Sequence, residues 1–458
     1  MPGKLDLKKL HALAKIGEVD TVLAVQVDMQ GRLMGKRFHV DFFLNSACNG
    51  THACNYLLAT DIEMSPVQGY NSTSWKQGYG DYEMKPDLDT LRVIPWLQRT
   101  ALVICDVYMH TADHKLVEVP HSPRAILKKQ LARLQKMGIT PMMATELEFH
   151  IFKDSYETAH KKSYRDLDLI SHYNEDYHIF QTTKEENIMR AIRNGLNGAD
   201  IPVENSKGEA DPGQAEVNVK YAESLLTADR HSIMKNGIKE IAWLSDQSVC
   251  FMAKWHQDAA GNSSHIHQSM VNEKNEPLFY DKNAQYGFSD LGRNYLSGLL
   301  QYTADFTFFL APNINSYKRF SEGTFAPTKT VWSVDNRTAG YRICAPGNKN
   351  VRIECRIGGA DLNPYLAMAA CVAAGIKGME AEYDLPEEFS GDAYSAVGVQ
   401  KVPATLRDAT AALDNSKMLR EAFGTDVIDH YVHAARWEQN CYDKSVTDWE
   451  RERGFERS

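Results

Sequence analysis

Four short stretches of this 458-residue chain share one spacing. Glu146 and Glu148 stand two apart, as do Gln214 and Glu216, His265 and His267, and the run Arg352, Glu354, Arg356. On a β-strand, residues i and i+2 point to the same face. The spacing therefore predicts four strands that turn charged or metal-binding side chains one way. Acids, histidines and arginines converging on a sheet face cost too much unless they neutralise one another around metal ions and charged substrates. That points to an enzyme whose active site is the inside of a curved sheet. Taken singly, each stretch also fits a solvated face, a structural histidine pair or a ladder of cross-strand ion pairs. Spacing alone does not make the strands neighbours.

The side chains narrow the chemistry. Glu146, Glu148, Glu209, Glu216, His265 and Glu354 offer five carboxylates and one imidazole, a donor set for hard divalent cations such as Mg²⁺ or Mn²⁺. A zinc hydrolase would lean more on histidine or cysteine. Arg319, Arg337, Arg342, Arg352 and Arg356 would bind what the metals leave uncompensated, arginine being the natural partner of carboxylate and phosphate. Metals plus arginines, without an activated Ser or Cys, fit phosphoryl transfer.

The length allows two or three domains. A net charge of −9 argues against a general binder of nucleic acid or anionic membrane. The first ten residues lack the apolar core of a signal peptide, and no run reaches the length of a spanning helix. The eight cysteines form no Cys-x-x-Cys pair and read as reduced thiols of a cytoplasmic protein. Residues 20–39 read as a hairpin turning at Asp28–Gly31, and Thr90–Val107 as two further apolar runs. Gly69–Pro86 and about Asp154–Asp176 read as loops. Ser122-Pro123 opens a helix that Gly138 closes, and Ile139–Ile151 is a strand. Helices are expected at Glu185–Gly198, Leu225–Ser245 and Leu362–Met379. The domains expected are 1–112, small and α+β, and 113–458.

These segments resemble the glutamine synthetase family over nearly the whole chain. The pattern runs in order through Glu146-Leu-Glu148, Glu209-Ala-Asp-Pro-Gly213-Gln214-Ala-Glu216, Gly261-Asn-Ser-Ser-His265-Ile-His267-Gln-Ser269, Asn315-Ser-Tyr-Lys-Arg319, Asn336-Arg337 with Arg342, and Arg352-Ile-Glu354-Cys-Arg356. The resemblance implies an α+β fold: an N-terminal β-grasp domain, then a catalytic domain with a curved, barrel-like antiparallel sheet. It also implies rings with active sites between neighbouring subunits, typically a dodecamer of two hexamers. By position it implies that Glu148, Glu209 and Glu216 hold a first metal, and Glu146, His265 and Glu354 a second that bridges the ATP phosphates. His267, Ser269, Arg352 and Tyr221 fall at nucleotide positions. Arg337 and Arg342 fall at the transferring phosphoryl group, and Gly261, Arg319 and Arg356 at the glutamate. The reaction implied makes γ-glutamyl phosphate from ATP and glutamate, and a nitrogen nucleophile then displaces phosphate.

The chain departs from the family on the nucleophile's side. The flap glutamate expected six residues after Arg319 is Phe325, and the nearest acid is Glu322. The asparagine expected before Gly261 is Ala260, and the ammonium-site motif Asp-Gly-Ser-Ser is absent, its counterpart lying near Gly50–Leu58. An ammonium site needs negative charge; an aromatic side chain there makes room for a carbon-bearing amine. The resemblance is thus to the γ-glutamyl-amide ligase branch, with an apolar aromatic or short alkyl monoamine favoured. A polyamine such as putrescine, ammonia itself, or an inactive ring-forming relative are the alternatives. Tyr383-Asp-Leu-Pro386 resembles a loop that some relatives adenylylate, though a plain loop tyrosine is the simpler reading. Cys344 and Cys355, flanking the arginine strands, are expected to be small buried hydrophobes.

Overall fold

The structure is a computed structural model describing residues 3–111 and 113–458. Met1, Pro2 and Ala112 lie outside the described residues, and with Ala112 lies the boundary expected between the two domains.

The N-terminal hairpin forms as the β-branched run dictates. Strand Thr21–Val27 pairs antiparallel with Leu33–His39, Thr21 opposite His39 and Val27 opposite Leu33. The Asp28 carboxylate builds the turn, accepting the backbone N–H of Gln30 (3.0 Å) and Arg32 (2.8 Å) and the Arg32 side chain (2.7 Å). Gly31, at φ +81°, supplies the left-handed step and lies against Asn363. Thr21–Val27 also runs parallel to Thr100–His110, giving a mixed seven-stranded sheet. Part of the stretch expected as loop is a strand: Asp81–Pro86 sits between Thr51–Cys54 and Thr100–His110. Its alternately buried Tyr82 and Met84 carry the two-residue period, which the surrounding glycines and tyrosines obscure.

Helix Pro123–Lys136 follows, with Pro123 in its first turn. Ser122 occupies the cap position, but its side chain makes no cap hydrogen bond, so proline rather than serine does the starting. Arg124 of this helix is buried against three carboxylates, Asp106 (2.6 Å), Asp87 (2.7 Å) and Asp229 (3.0 Å). It thereby fastens the N-terminal sheet to helix Ser224–Leu244.

The second sheet has nine strands, and its spine is Ile139–Phe152. Ile266–Asn272 pairs on one side of this strand and Gln214–Val219 on the other. Arg352–Cys355 and Tyr341–Cys344 extend the first side, and Val203–Gly208 extends the second. All these pairs are antiparallel; only the edge pair Trp332–Val334 with Tyr341–Cys344 is parallel. The expected 154–176 loop contains helix Tyr156–Lys161, capped by Ser155. Among the described residues no helix is long and apolar enough to cross a membrane.

Helices Asp290–Leu310 and Pro364–Ala381 cross at bare backbone. A Cβ on Gly298 would stand 2.2 Å from the Ala374 carbonyl oxygen, and one on Gly378 2.2 Å from that of Asn294. Backbone cannot swing aside as a side chain can. Gly298→Ala is therefore expected to destabilise the protein by about 1–3 kcal/mol or more, read as a lower thermal midpoint in calorimetry.

Candidate active site

The four charged stretches are neighbours. In register, His267 lies opposite Ala144 on the spine and opposite Glu354 on its other side, and Glu216 lies opposite Glu148. Two groups of three ligand residues result, Glu146 with His265 and Glu354, and Glu148 with Glu209 and Glu216, each with donor atoms within 4.8 Å of one another. No sheet face would gather five carboxylates for packing. The donor set of carboxylate oxygens and one imidazole fits Mg²⁺ or Mn²⁺.

The first group is held apart and under stress. Ser263 donates its N–H to Glu148 at 2.6 Å, and Asn218 donates to Glu216 at 2.8 Å. Burial first, then repulsion from Glu209, pushes the Glu148 carboxyl up to about 7. Burial, then the charges of Glu146, Glu148 and Glu209, pushes Glu216 up to about 9. Two cations answer them, Arg319 toward Glu148 and Lys207 toward Glu209 and Glu216. Lys207, opposite Glu216 in the next strand, pairs with Glu209, lies 4.0 Å from Glu216, and sits over the Tyr177 ring.

The second group is compensated from within. Burial opposes ionisation of Glu146, but hydrogen bonds of 2.9 Å from His265 and His267 outweigh it and hold the carboxyl below its usual range. Glu354 is 1% exposed, and burial is again overcome, by Arg356, His265 and His267, bringing it to about 2. Arg356 donates to it at 2.6 Å and Arg342 at 3.0 Å. Cys344 and Cys355 are both buried, as expected, and Cys344 adds a thiol contact to Glu354.

Both groups open into one cavity of about 520 Å³. Gln214, Gly261, Arg319, Arg337, Arg342, Arg356 and Phe325 line it with them. Arg319 is buried, donating to the carbonyls of Ile357 (2.9 Å) and Arg356 (3.0 Å). A Cβ on Gly261 would stand 2.6 Å from Cγ of Arg319, so the glycine is what lets the aliphatic stem of that arginine lie against the backbone. Phe325 is 56% exposed, with φ +57°. For a bulky residue that is a strained conformation, of the sort that persists at functional loops. Glu322, the nearest flap acid, is exposed and is not part of the wall.

Four residues expected at the nucleotide lie outside this wall. Arg352 donates to His267 at 3.2 Å, Ser269 is half-buried further along the same strand, and Tyr221 is largely exposed. The Gly50–Leu58 segment belongs to the edge of the N-terminal sheet and does not reach the chain's own cavity. Lys207, Asp176 and Tyr177 are among the wall residues that the sequence does not point to. Lys207 had a signal in its i+2 relation to Glu209, whereas Asp176 and Tyr177 come from irregular chain. Among the described residues, Asp176 is the one carboxylate of the wall that belongs to neither ligand group. Tyr383 pairs its hydroxyl with that of Tyr302 at 2.8 Å.

Two cation-ready carboxylate groups, arginines and a buried sheet face define a metal-dependent enzyme with an anionic substrate. The chain matches the glutamine synthetase catalytic domain model over residues 120–454. It is 44% identical over 454 residues to a γ-glutamylethanolamide synthetase of Streptomyces coelicolor, covering 99% of this chain and 96% of that one. It is 32% identical over 451 residues to a glutamate–isopropylamine ligase of a Pseudomonas species, covering 98% and 97%. Among solved structures, a GmaS–ADP complex superposes with a TM-score of 0.84 at 25% identity, over 97% of this chain and 99% of that one. This chain belongs to the glutamine synthetase family.

Proposed function

We propose that this enzyme ligates an organic amine to the γ-carboxylate of glutamate, turning ATP into ADP and phosphate through γ-glutamyl phosphate. The observation that carries the reading is a single cavity in which both ligand groups and the arginines are intact, while Phe325 and Ala260 stand on its wall. Two similar proteins are named for γ-glutamyl transfer to ethanolamine and to isopropylamine, both small monoamines. A short, weakly polar monoamine is therefore the nucleophile this reading favours.

The roles follow from placement. Glu148, Glu209 and Glu216 would hold one divalent cation and Glu146, His265 and Glu354 the other, supplying Lewis-acid charge to phosphoryl oxygens. Arg319 and Arg356, with the Gly261 backbone, orient the glutamate. Arg337 and Arg342 face the charge that builds on the transferring group. His267, Arg352, Ser269 and Tyr221 contact the nucleotide from beside the cavity. Asp176, free of either group, attracts the alkylammonium and takes its proton. We also propose that the division near residue 112 separates a small β-grasp domain from the catalytic one. Twelve copies would form two hexameric rings in the cytoplasm, and a neighbour's Gly50–Leu58 segment would close the cavity.

The test is turnover with isopropylamine, ethanolamine, aniline, putrescine and ammonia in the presence of ATP, glutamate and Mg²⁺ or Mn²⁺, following phosphate release and product mass. A γ-glutamyl amide from a small monoamine, at a kcat/KM at least about tenfold above that for ammonia, is expected. A preference for putrescine or ammonia would reject the Phe325 argument, and no product from any amine would reject the reading as a whole.

A further inference from the structure

A second, larger cavity of about 760 Å³ lies apart from the catalytic one and shares no wall residue with it. The N-terminal hairpin turn, helix Ser224–Leu244 and helix Thr425–Lys444 meet around it. Its wall is largely apolar, with Phe251, Phe308 and Trp437 prominent. Lys235 and Lys239, one helical turn apart, both enter it and lie 5.5 and 5.7 Å from the centre of the Phe251 ring. Among the described residues neither lysine has a carboxylate within 4 Å, although Asp61, Asp361 and Glu438 are also in the wall. Lys235 donates to the Ala360 carbonyl at 2.6 Å. Burial, then its neighbour Lys239, brings its ammonium down to about 7. Among the described residues, three hydroxyls of wall residues, Thr60 Oγ1, Tyr70 OH and Ser232 Oγ, and the carboxylate oxygen Asp361 Oδ1 make no hydrogen bond within the protein. Packing does not account for this combination. Two lysines that no carboxylate pairs, one turn apart in a largely apolar chamber, ask for an anion.

From this geometry we infer a binding site for a small monocarboxylate with an apolar body, which tunes the glutamate end of the catalytic cavity. The volume lies within the range of small-molecule sites. A carboxylate can sit between the two lysines while its apolar body covers Phe251, Phe308 and Trp437, surface that a phosphate would leave unfilled. Two short connections lead to the catalytic cavity. The segment Asn315–Arg319 sends Lys318 into this chamber and Arg319 into the other. The Ala360 carbonyl that Lys235 holds belongs to the residue whose N–H donates to the Asn262 carbonyl at 3.0 Å, next to Gly261. An anion that draws Lys235 off Ala360 loosens the backbone beside Gly261.

The probe is 4-phenylbutyrate, with the neutral 4-phenylbutanamide as its control, titrated calorimetrically into the full-length enzyme with and without saturating glutamate. The carboxylate is expected to bind in both conditions, and the amide at least about tenfold more weakly. Lys239→Met, at a position open to solvent, is expected to weaken the carboxylate by a similar factor while leaving the thermal midpoint unchanged. Equal affinity for acid and amide, displacement by glutamate, or unaltered binding by Lys239→Met would each overturn the site. In steady state, the probe is expected to raise the KM for glutamate at least about twofold in the parent and not in Lys239→Met. Binding without that change would overturn the link to the catalytic cavity. The calorimetric arms do not depend on the reaction proposed above; only the KM arm rests on it.

Discussion

Stripped of divalent cations, the enzyme is expected to lose all turnover and to become less stable as pH rises. In the metal-free state the folded-state carboxyls of Glu148 and Glu216 titrate at about 7 and about 9, above the usual carboxylate range. A raised folded-state pKa contributes stability that is fully present below the unfolded value, near 4.5, and is lost as pH climbs through the folded one. His267, brought to about 10 with burial overcome by its Cys344 and Glu146 contacts, loses stabilisation in the same direction between about 6.5 and 10. Glu146 and Glu354, whose carboxyls are depressed, stay ionised throughout this window, and Lys235, lowered to about 7, opposes the trend above that pH as one group against three. The metal-free thermal midpoint should therefore fall by roughly 5 °C between pH 6 and 9, and saturating Mn²⁺ or Mg²⁺ should flatten the curve. Glu216→Gln separates the two roles of that carboxylate. It should raise metal-free stability at pH 8, because an amide needs none of the proton uptake on folding that a carboxyl raised to about 9 requires, and should lower kcat/KM about a hundredfold or more. A variant losing both would mark Glu216 as structural rather than as part of a cation site.

Phe325→Glu is expected to move the enzyme toward ammonia. The phenyl ring is half out of the wall, beside Ala326 and Thr324, and no carboxylate of the wall outside the two ligand groups stands in the 319–326 segment. A glutamate there would place negative charge where a small cation could bind and be deprotonated, and would remove the apolar surface that holds an alkyl group. The ratio of kcat/KM for ammonia to that for isopropylamine should rise about a hundredfold, measured under saturating ATP and glutamate. The substitution keeps a non-glycine residue at φ +57°, so backbone strain is unchanged and the comparison isolates the side chain. An unchanged ratio would move amine selection elsewhere, to Asp176 or a neighbouring subunit.

The ligand residues were legible because strands have a two-residue period and charge on a buried face is rare enough to stand out. Glu146, Glu148, Glu216 and Glu354 are strand residues, and pairing in register turned their one-dimensional spacing into two three-dimensional groups. The same period failed at Asp81–Pro86, where it covers too few residues to rise above the surrounding glycines. Helix Asp290–Leu310 and the four helices between Leu406 and Gly454 went unread, although Ser289, Thr405, Ser416 and Thr447 cap four of them with side-chain hydrogen bonds. Asp176 and Tyr177 come from irregular chain and reach the wall only through tertiary packing. Nothing local marks such residues, because neither a period nor a cap records where a loop will be laid down. The second cavity is illegible for the same reason, being assembled from segments on both sides of residue 112.

Strand order has a consequence for synthesis. Glu146 meets His265 across 119 residues of chain, and Ser263 meets Glu148 across 115. The last ligand, Glu354, arrives on a strand that can join only after Ile266–Asn272 is paired. Contacts so far apart in sequence are slow to form, since chain closure must precede any gain. While it is still on the ribosome, the nascent chain can bring together Glu148, Glu209 and Glu216 well before it can complete the other group. Every ligand of the first cation group is thus synthesised before His265 and Glu354 of the second, although the Ser263 that holds Glu148 comes as late as the second group does.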